Sequence, residues 1–183
     1  YVERDISWMY FNQRILLEAA RPEVPLLERL TFLGIYSNNL DEFFRVRMAT
    51  ISRVAELKGK GMETDRRKAA ELFHKLGAMD MRFAGEYSAC VRNVTDVLAG
   101  NGIRIVNETE LDDGQKHYVR CMFRQRISGF VSPVWLSRLE EFSSESDSHI
   151  YLAVELSGPS IKTDYAIIEL PAATCGRFVT LPE

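Results

Sequence analysis

Apolar residues recur at helical spacing through the first hundred positions of the chain. Trp8, Phe11, Ile15, Leu16 and Ala19 line one face of a helix that Ser7 would cap and that Arg21-Pro22 would stop near Ala20. Pro25 suits the first turn of a second helix, from Leu26 to about Tyr36. The polar run Ser37-Asn38-Asn39 predicts an interruption there. Asn39, followed three residues later by Glu42, has the spacing of a capping box for a third helix, Leu40 to about Leu57, ended by Gly59 and Gly61. From Thr64 or Asp65 to Ala99 a long helical stretch carries Leu72, Leu76, Met79, Phe83, Tyr87, Val91, Val94 and Leu98 as its stripe. Gly100-Asn101-Gly102 stops it.

Beyond Gly102 the period changes. Ile103 to Val106 reads as a short strand, and Asp112 to about Ser128 as a helix. The runs Tyr151 to Leu156 and Tyr165 to Leu170 are rich in β-branched and aromatic residues and read as two strands. The link between them, 157–162, is hairpin-sized. Arg177 to Thr180 is a candidate further strand. The pattern predicts an all-α N-terminal helical bundle over 1–101, followed by a partial α+β domain with an antiparallel sheet over 102–183.

Two polar residues do not fit the apolar faces that hold them, and a third, Asn39, has two readings. On a helical wheel Arg47 falls roughly 20° from Leu40, inside the arc of Phe43, Phe44, Ile51, Val54 and Ala55. An unpaired guanidinium there is costly, so Arg47 must pair with Asp41 or with an acid of another helix, snorkel out to solvent, or face an anion channel. Asn12 sits in the arc of the first helix, where a buried Asn is expected to satisfy backbone groups at a neighbouring helix end. Asn39 is a good helix cap. Its amide also offers one donor and one acceptor, the complement of an adenine edge, and Phe32 could wall a base. The residues alone favour the cap.

Composition narrows the function. Against 23 basic residues stand 26 acidic ones, which argues against a duplex-DNA binder running on bulk positive charge. Residues 1–100 carry 15 bases and 14 acids, and 101–183 carry 8 and 12, so the charge shifts at the boundary where the pattern does. The basic groups Arg66-Arg67-Lys68 and Arg120, Arg124 and Arg126 have no interleaved aromatic platform, and no nucleic-acid partner is expected. No apolar run approaches the length of a membrane span. Cys90, Cys121 and Cys175 are far apart and form no CxxC or Cys/His motif, so the default is a reduced cytoplasmic interior. No GxxxxGK[ST], GxGxxG, HExxH or GxSxG motif is present, and His74, His117 and His149 stand alone in sequence. No catalytic residue and no metal ligand is therefore assigned. The start at Tyr1 and the stop just after a strand-like run suggest a piece of a longer protein.

Three motif runs carry a family resemblance. They are Asp5-Ile-Ser-Trp-Met-Tyr-Phe-Asn-Gln-Arg14, Pro25-Leu-Leu-Glu-Arg-Leu-Thr-Phe-Leu33, and Tyr36-Ser-Asn-Asn-Leu-Asp-Glu-Phe-Phe44 with Val46-Arg47. Together they resemble the opening of bacterial polyphosphate kinase. Tyr151-Leu-Ala-Val-Glu155 and Arg177-Phe-Val-Thr-Leu-Pro182 resemble, more loosely, the start of that family's second, head domain. The resemblance implies a multidomain enzyme that moves the γ-phosphate of ATP reversibly onto polyphosphate. Its phosphohistidine chemistry and Mg²⁺ ligands lie in C-terminal domains outside this chain. It also implies that Asn39 contacts ATP, that Phe32 stands near the adenine, that ATP or ADP with Mg²⁺ serves the full-length parent, and that the head domain takes part in homo-oligomer formation. Arg47 is carried as a further candidate contact. The expected location is cytoplasmic, with peripheral membrane association. The alternative is a scaffold or dimerisation module with no ligand contact.

Overall fold

The computed structural model describes residues 2–59, 61–138, 149–158 and 161–182. The chain divides into two compact units, Tyr1–Ile105 and Val106–Glu183.

The first unit is a helical bundle. Helix α1 spans Arg4–Ala20 and starts a turn earlier than Ser7 suggests. The Glu3 carboxylate accepts from the amides of Asp5 (2.7 Å) and Ile6 (3.0 Å) and caps it. Helix α2, Leu26–Phe43, begins behind Pro25 and runs straight through Ser37-Asn38-Asn39. The expected interruption is absent, and Asn39 caps nothing. The helix continues as a π-helical turn, Phe44–Met48, into α3, Ala49–Glu56, with right-handed helical dihedrals at both junctions. Packing explains why the polar run does not break it. Tyr36 and Phe43, on either side, are both buried, so an unbroken helix keeps both on the core face. The long α4, Glu63–Gly100, buries Ala69, Leu76, Phe83 and Cys90 at seven-residue intervals, with Met79, Val94 and Leu98 beside them. That repeat forms one continuous seam along which α1, α2 and α3 pack.

The π turn settles the Arg47 misfit. The amide of Ala49 reaches back five residues to the carbonyl of Phe44, which adds one residue to that turn. In an unbroken α-helix position 47 would follow Phe43 into the core. With the extra residue, Met48 takes the core position at 4% exposure and the Arg47 side chain is 36% exposed.

The second unit starts with α5, Asp113–Met122. Its capping box is complete, because the Asp112 carboxylate accepts from the Gln115 amide (2.8 Å) and the Gln115 side chain accepts from the Asp112 amide (3.3 Å). A second π turn, Phe123–Ile127, and a 3₁₀ turn, Ser128–Phe130, follow. Among the described residues three strands form an antiparallel sheet in the order β1-β3-β2: β1 Pro133–Trp135, β2 Ile150–Gly158 and β3 Ile161–Leu170. The two predicted strands are β2 and β3, paired with Leu152 opposite Ile168 and with a bulge between Leu156 and Gly158. The middle of the expected link, 159–160, lies outside the described residues. Ala166 of β3, flanked by Trp135 and Val154, is buried at 2% exposure. Two expected strands do not form. Residues 103–106 and 177–180 are irregular and pair with no strand, and the Ile103 amide instead bonds back to the Leu98 carbonyl at the end of α4.

Candidate functional site

The seam between α1 and α2 is where the sequence candidates meet. Asp5, Asn12 and Arg29 are the buried polar or charged residues among those described, at 3%, 1% and 4% exposure. They belong to three polar rungs that leave α1 at positions 5, 12 and 19, two helical turns apart each time. The partners on the second helix fall in reverse order at 47, 39 and 29, so the two helices are antiparallel and each rung fixes their register.

At the first rung, Arg47 Nε and Nη2 donate to the two Asp5 carboxylate oxygens at 3.0 and 2.7 Å. This is a bidentate pair with an acid of another helix. The hydrogen bonds to Asp5 hold the Arg47 pKa above its ordinary value. At the third rung, Arg29 Nε donates to the Ala19 carbonyl at 2.7 Å and Nη2 to Asn93 Oδ1 at 2.8 Å. Ala19 is in the last turn of α1, where carbonyls have no helical partner and the helix dipole is negative, so a buried cation fits there. Arg29 was not singled out in the sequence, although its spacing from Leu33 and Tyr36 puts it on the buried face of α2.

The middle rung carries the candidate ligand-facing group. Asn12 Nδ2 donates to the Tyr36 carbonyl at 3.1 Å, and Asn39 Nδ2 donates to Asn12 Oδ1 at 3.2 Å. Asn12 thus satisfies a backbone carbonyl in mid-helix, not at a helix end. One N–H and the carbonyl oxygen of the half-buried Asn39 are left for other partners. Phe32 is also half-buried, seven residues earlier on the same face of α2 and about 10 Å away along the axis. Tyr36 lies between them, 2% exposed and stacked on Tyr87 at 5.3 Å, with no partner for its hydroxyl. Burial, helped by the charges of Asp80 and Glu86, pushes its pKa up to about 12.

The histidines of the second unit and the cysteines have their own surroundings. His149 Nδ1 lies 3.0 Å from a carboxylate oxygen of Glu169. His117 Nε2 is 3.5 Å from Cys121 Sγ, one turn away on α5, so the structure makes a Cys/His contact that no motif announced. All three cysteines are free, and burial raises the Cys90 thiol pKa against the partly offsetting Arg29. Among the described residues no group of three or more His, Cys, Asp or Glu could hold a metal ion, and no helix is long and apolar enough to cross a membrane.

The profile of the polyphosphate kinase N-terminal domain matches residues 1–106, and that of the polyphosphate kinase middle domain matches 114–183. The chain belongs to the polyphosphate kinase family. It is 35% identical, over its whole length, to the polyphosphate kinase of Vibrio parahaemolyticus and 36% identical to that of Escherichia coli K12. It covers 26% of each of those proteins. The crystal structure of polyphosphate kinase from Porphyromonas gingivalis superimposes with a TM-score of 0.74 at 29% identity, over 98% of this chain and 27% of that one. The helical unit followed by an antiparallel sheet is therefore the N-terminal region of the polyphosphate kinase fold, and the chain spans about a quarter of the length of its curated relatives.

Proposed function

We propose that these residues form the nucleotide-base wall of an ATP:polyphosphate phosphotransferase, an enzyme that passes the γ-phosphate of ATP reversibly to polyphosphate in the cytoplasm, at the periphery of the membrane. The observation that carries the reading is the middle rung, where a half-buried amide is held by a buried neighbour with an aromatic ring two turns away on the same face. An adenine edge needs one donor and one acceptor, and a ring face needs an apolar wall. Asn39 and Phe32 supply these. Arg47, with two of its nitrogens committed to Asp5, supports the seam from one rung away.

The phosphate end is a different problem. Phosphoryl transfer needs metal, cations and an in-line nucleophile. No cluster among the described residues fits Mg²⁺. The phosphohistidine and metal chemistry are assigned to C-terminal domains outside this chain, and the sheet-bearing unit to homo-oligomer formation. The test is made in a full-length enzyme carrying this segment. Asn39→Ala is expected to raise the KM for ATP about tenfold, the worth of one oriented hydrogen bond, with kcat within about twofold and at most about 1 kcal/mol lost from stability. An unchanged KM would remove Asn39 from the nucleotide site.

A further inference from the structure

The middle rung contains a group that touches no ligand and still fixes what a ligand meets. We propose that Asn12 is a positioning residue that locks the amide of Asn39 in one direction, so that the seam reads adenine and rejects guanine. The inference rests on the reading of Asn39 as the base-facing group.

The direction follows from donors and acceptors alone. The Tyr36 carbonyl can only accept, so the Asn12 atom 3.1 Å from it is the nitrogen. The Asn12 oxygen is then the atom turned toward Asn39, and it too can only accept. The Asn39 atom 3.2 Å from it is therefore also the nitrogen. A main-chain carbonyl, fixed by the helix, thus sets the orientation of two side-chain amides in series. Asn12 is 1% exposed and has no space in which to turn over without leaving a buried donor and a buried acceptor unmatched.

The lock decides selectivity because an amide is directional. With its nitrogen held by Asn12, Asn39 presents its carbonyl oxygen and its remaining N–H in a single order. Adenine offers an amino donor beside a ring-nitrogen acceptor, which matches that order. A guanine held in the same seat by the sugar and phosphates it shares with an adenine nucleotide carries a carbonyl oxygen where adenine carries the amine and a ring N–H where adenine carries the bare ring nitrogen, so acceptor meets acceptor and donor meets donor. An Asn39 amide free to rotate by half a turn would present the reverse order and accept guanine. Discrimination between the purines thus resides in the anchor as much as in the contacting residue.

The experiment measures kcat/KM for ATP and for GTP in a full-length enzyme carrying this segment. The variants are Asn12→Ala, Asn12→Asp, Asn39→Ala and the double variant Asn12→Ala/Asn39→Ala, each with a melting curve. Asn12→Ala is expected to lower the ATP-over-GTP ratio about tenfold, through KM and not kcat. Asn12→Asp keeps an acceptor oxygen toward Asn39 and is expected to retain most of the preference, even where it melts earlier. In the Asn39→Ala background, Asn12→Ala should change the ratio no further, because the anchor has nothing left to orient. Equal loss for both Asn12 variants, or an undiminished effect of Asn12→Ala when Asn39 is already gone, makes Asn12 a packing residue only and overturns the proposal. If Asn12→Ala does not fold, Asn12→Ser replaces it, and an unchanged ratio there also overturns it. If Asn39→Ala leaves ATP kinetics untouched, the nucleotide reading itself fails. If Asn39→Ala acts and the Asn12 variants do not, only the lock fails.

Discussion

At the residue scale the first unit is governed by a few buried polar groups whose partners are backbone or amide atoms. Arg29 is the most demanding of them. Its charge is met by the Ala19 carbonyl and by the side chain of the exposed Asn93, so removing it leaves the buried Ala19 carbonyl without that donor while Asn93 can turn to water. Arg29→Met should cost about 2–4 kcal/mol in urea unfolding, and Arg29→Lys should not restore the loss, because an ammonium cannot reproduce the fork of two donors at that geometry. Tyr36 behaves in the opposite way. Its buried hydroxyl has no partner, so Tyr36→Phe is expected to leave stability at pH 7 unchanged or to raise it by about 1 kcal/mol. The pH dependence has a definite sign. With a folded pKa near 12 against an unfolded value of 10.0, the unfolded chain loses this proton first. The stability that Tyr36 contributes is fully present below pH 10 and is lost as pH rises through 12. Denaturant titrations of Tyr36→Phe should show a smaller alkaline loss across that window.

At the scale of elements the two π turns stand out, Phe44–Met48 and Phe123–Ile127, with the sequences Phe-Arg-Val-Arg-Met and Phe-Arg-Gln-Arg-Ile. In each, the amide after the turn bonds a carbonyl five residues back, that of the leading Phe. The first of them is an inserted residue in an otherwise continuous helix from Leu26 to Glu56, and this makes a specific expectation about deletions. Removing the exposed Val46 brings Met48 to the normal α-helical spacing from Phe43, so both stay on the core face and the cost should be below about 2 kcal/mol. Removing the exposed Gly34, in the regular part of α2, rotates Leu33 away from Tyr36 and should abolish cooperative thermal unfolding. Calorimetry of the two deletions compares them directly. Neither π turn was legible from periodicity, because a helical wheel assumes a constant step, and that is why it drew Arg47 as buried and overlooked Met48.

At the scale of the whole molecule the buried apolar residues are distributed very unequally. All of those among the described residues belong to the first unit except Ala166. The second unit leaves Phe130, Val134, Leu152, Tyr165 and Phe178 exposed, the last at 85%. Prepared separately, residues 1–105 should unfold in one cooperative transition. Residues 106–183 should show a broad transition and bind a hydrophobic dye, since a sheet that has three strands and one buried side chain among the described residues cannot offset the entropy of ordering its chain. A sharp two-state transition from the second piece would contradict the account. Composition gave no hint of this inequality, because both halves contain apolar residues in ordinary proportion, and only packing reveals which of them are withdrawn from water.

The sequence by itself determined the helical nature of the first hundred residues, the sheet-forming character of the last third, and the family, through motif runs that no generic amphipathic pattern reproduces. It also marked Asn12 and Arg47 as out of place, because a polar group on an apolar face is visible on a one-dimensional period, and it left Asn39 between a helix cap and a ligand contact. What it could not give was their partners. Asp5 lies 42 residues from Arg47 and Asn12 lies 27 from Asn39, and no local rule links positions so far apart. Local chemistry favoured Asn39 as a helix cap, since Asn and Glu at that spacing satisfy free amides at a helix start. Tertiary packing decided otherwise. Keeping Tyr36 and Phe43 on one buried face required an unbroken helix, and that helix turned Asn39 from a terminus into a side chain held by α1.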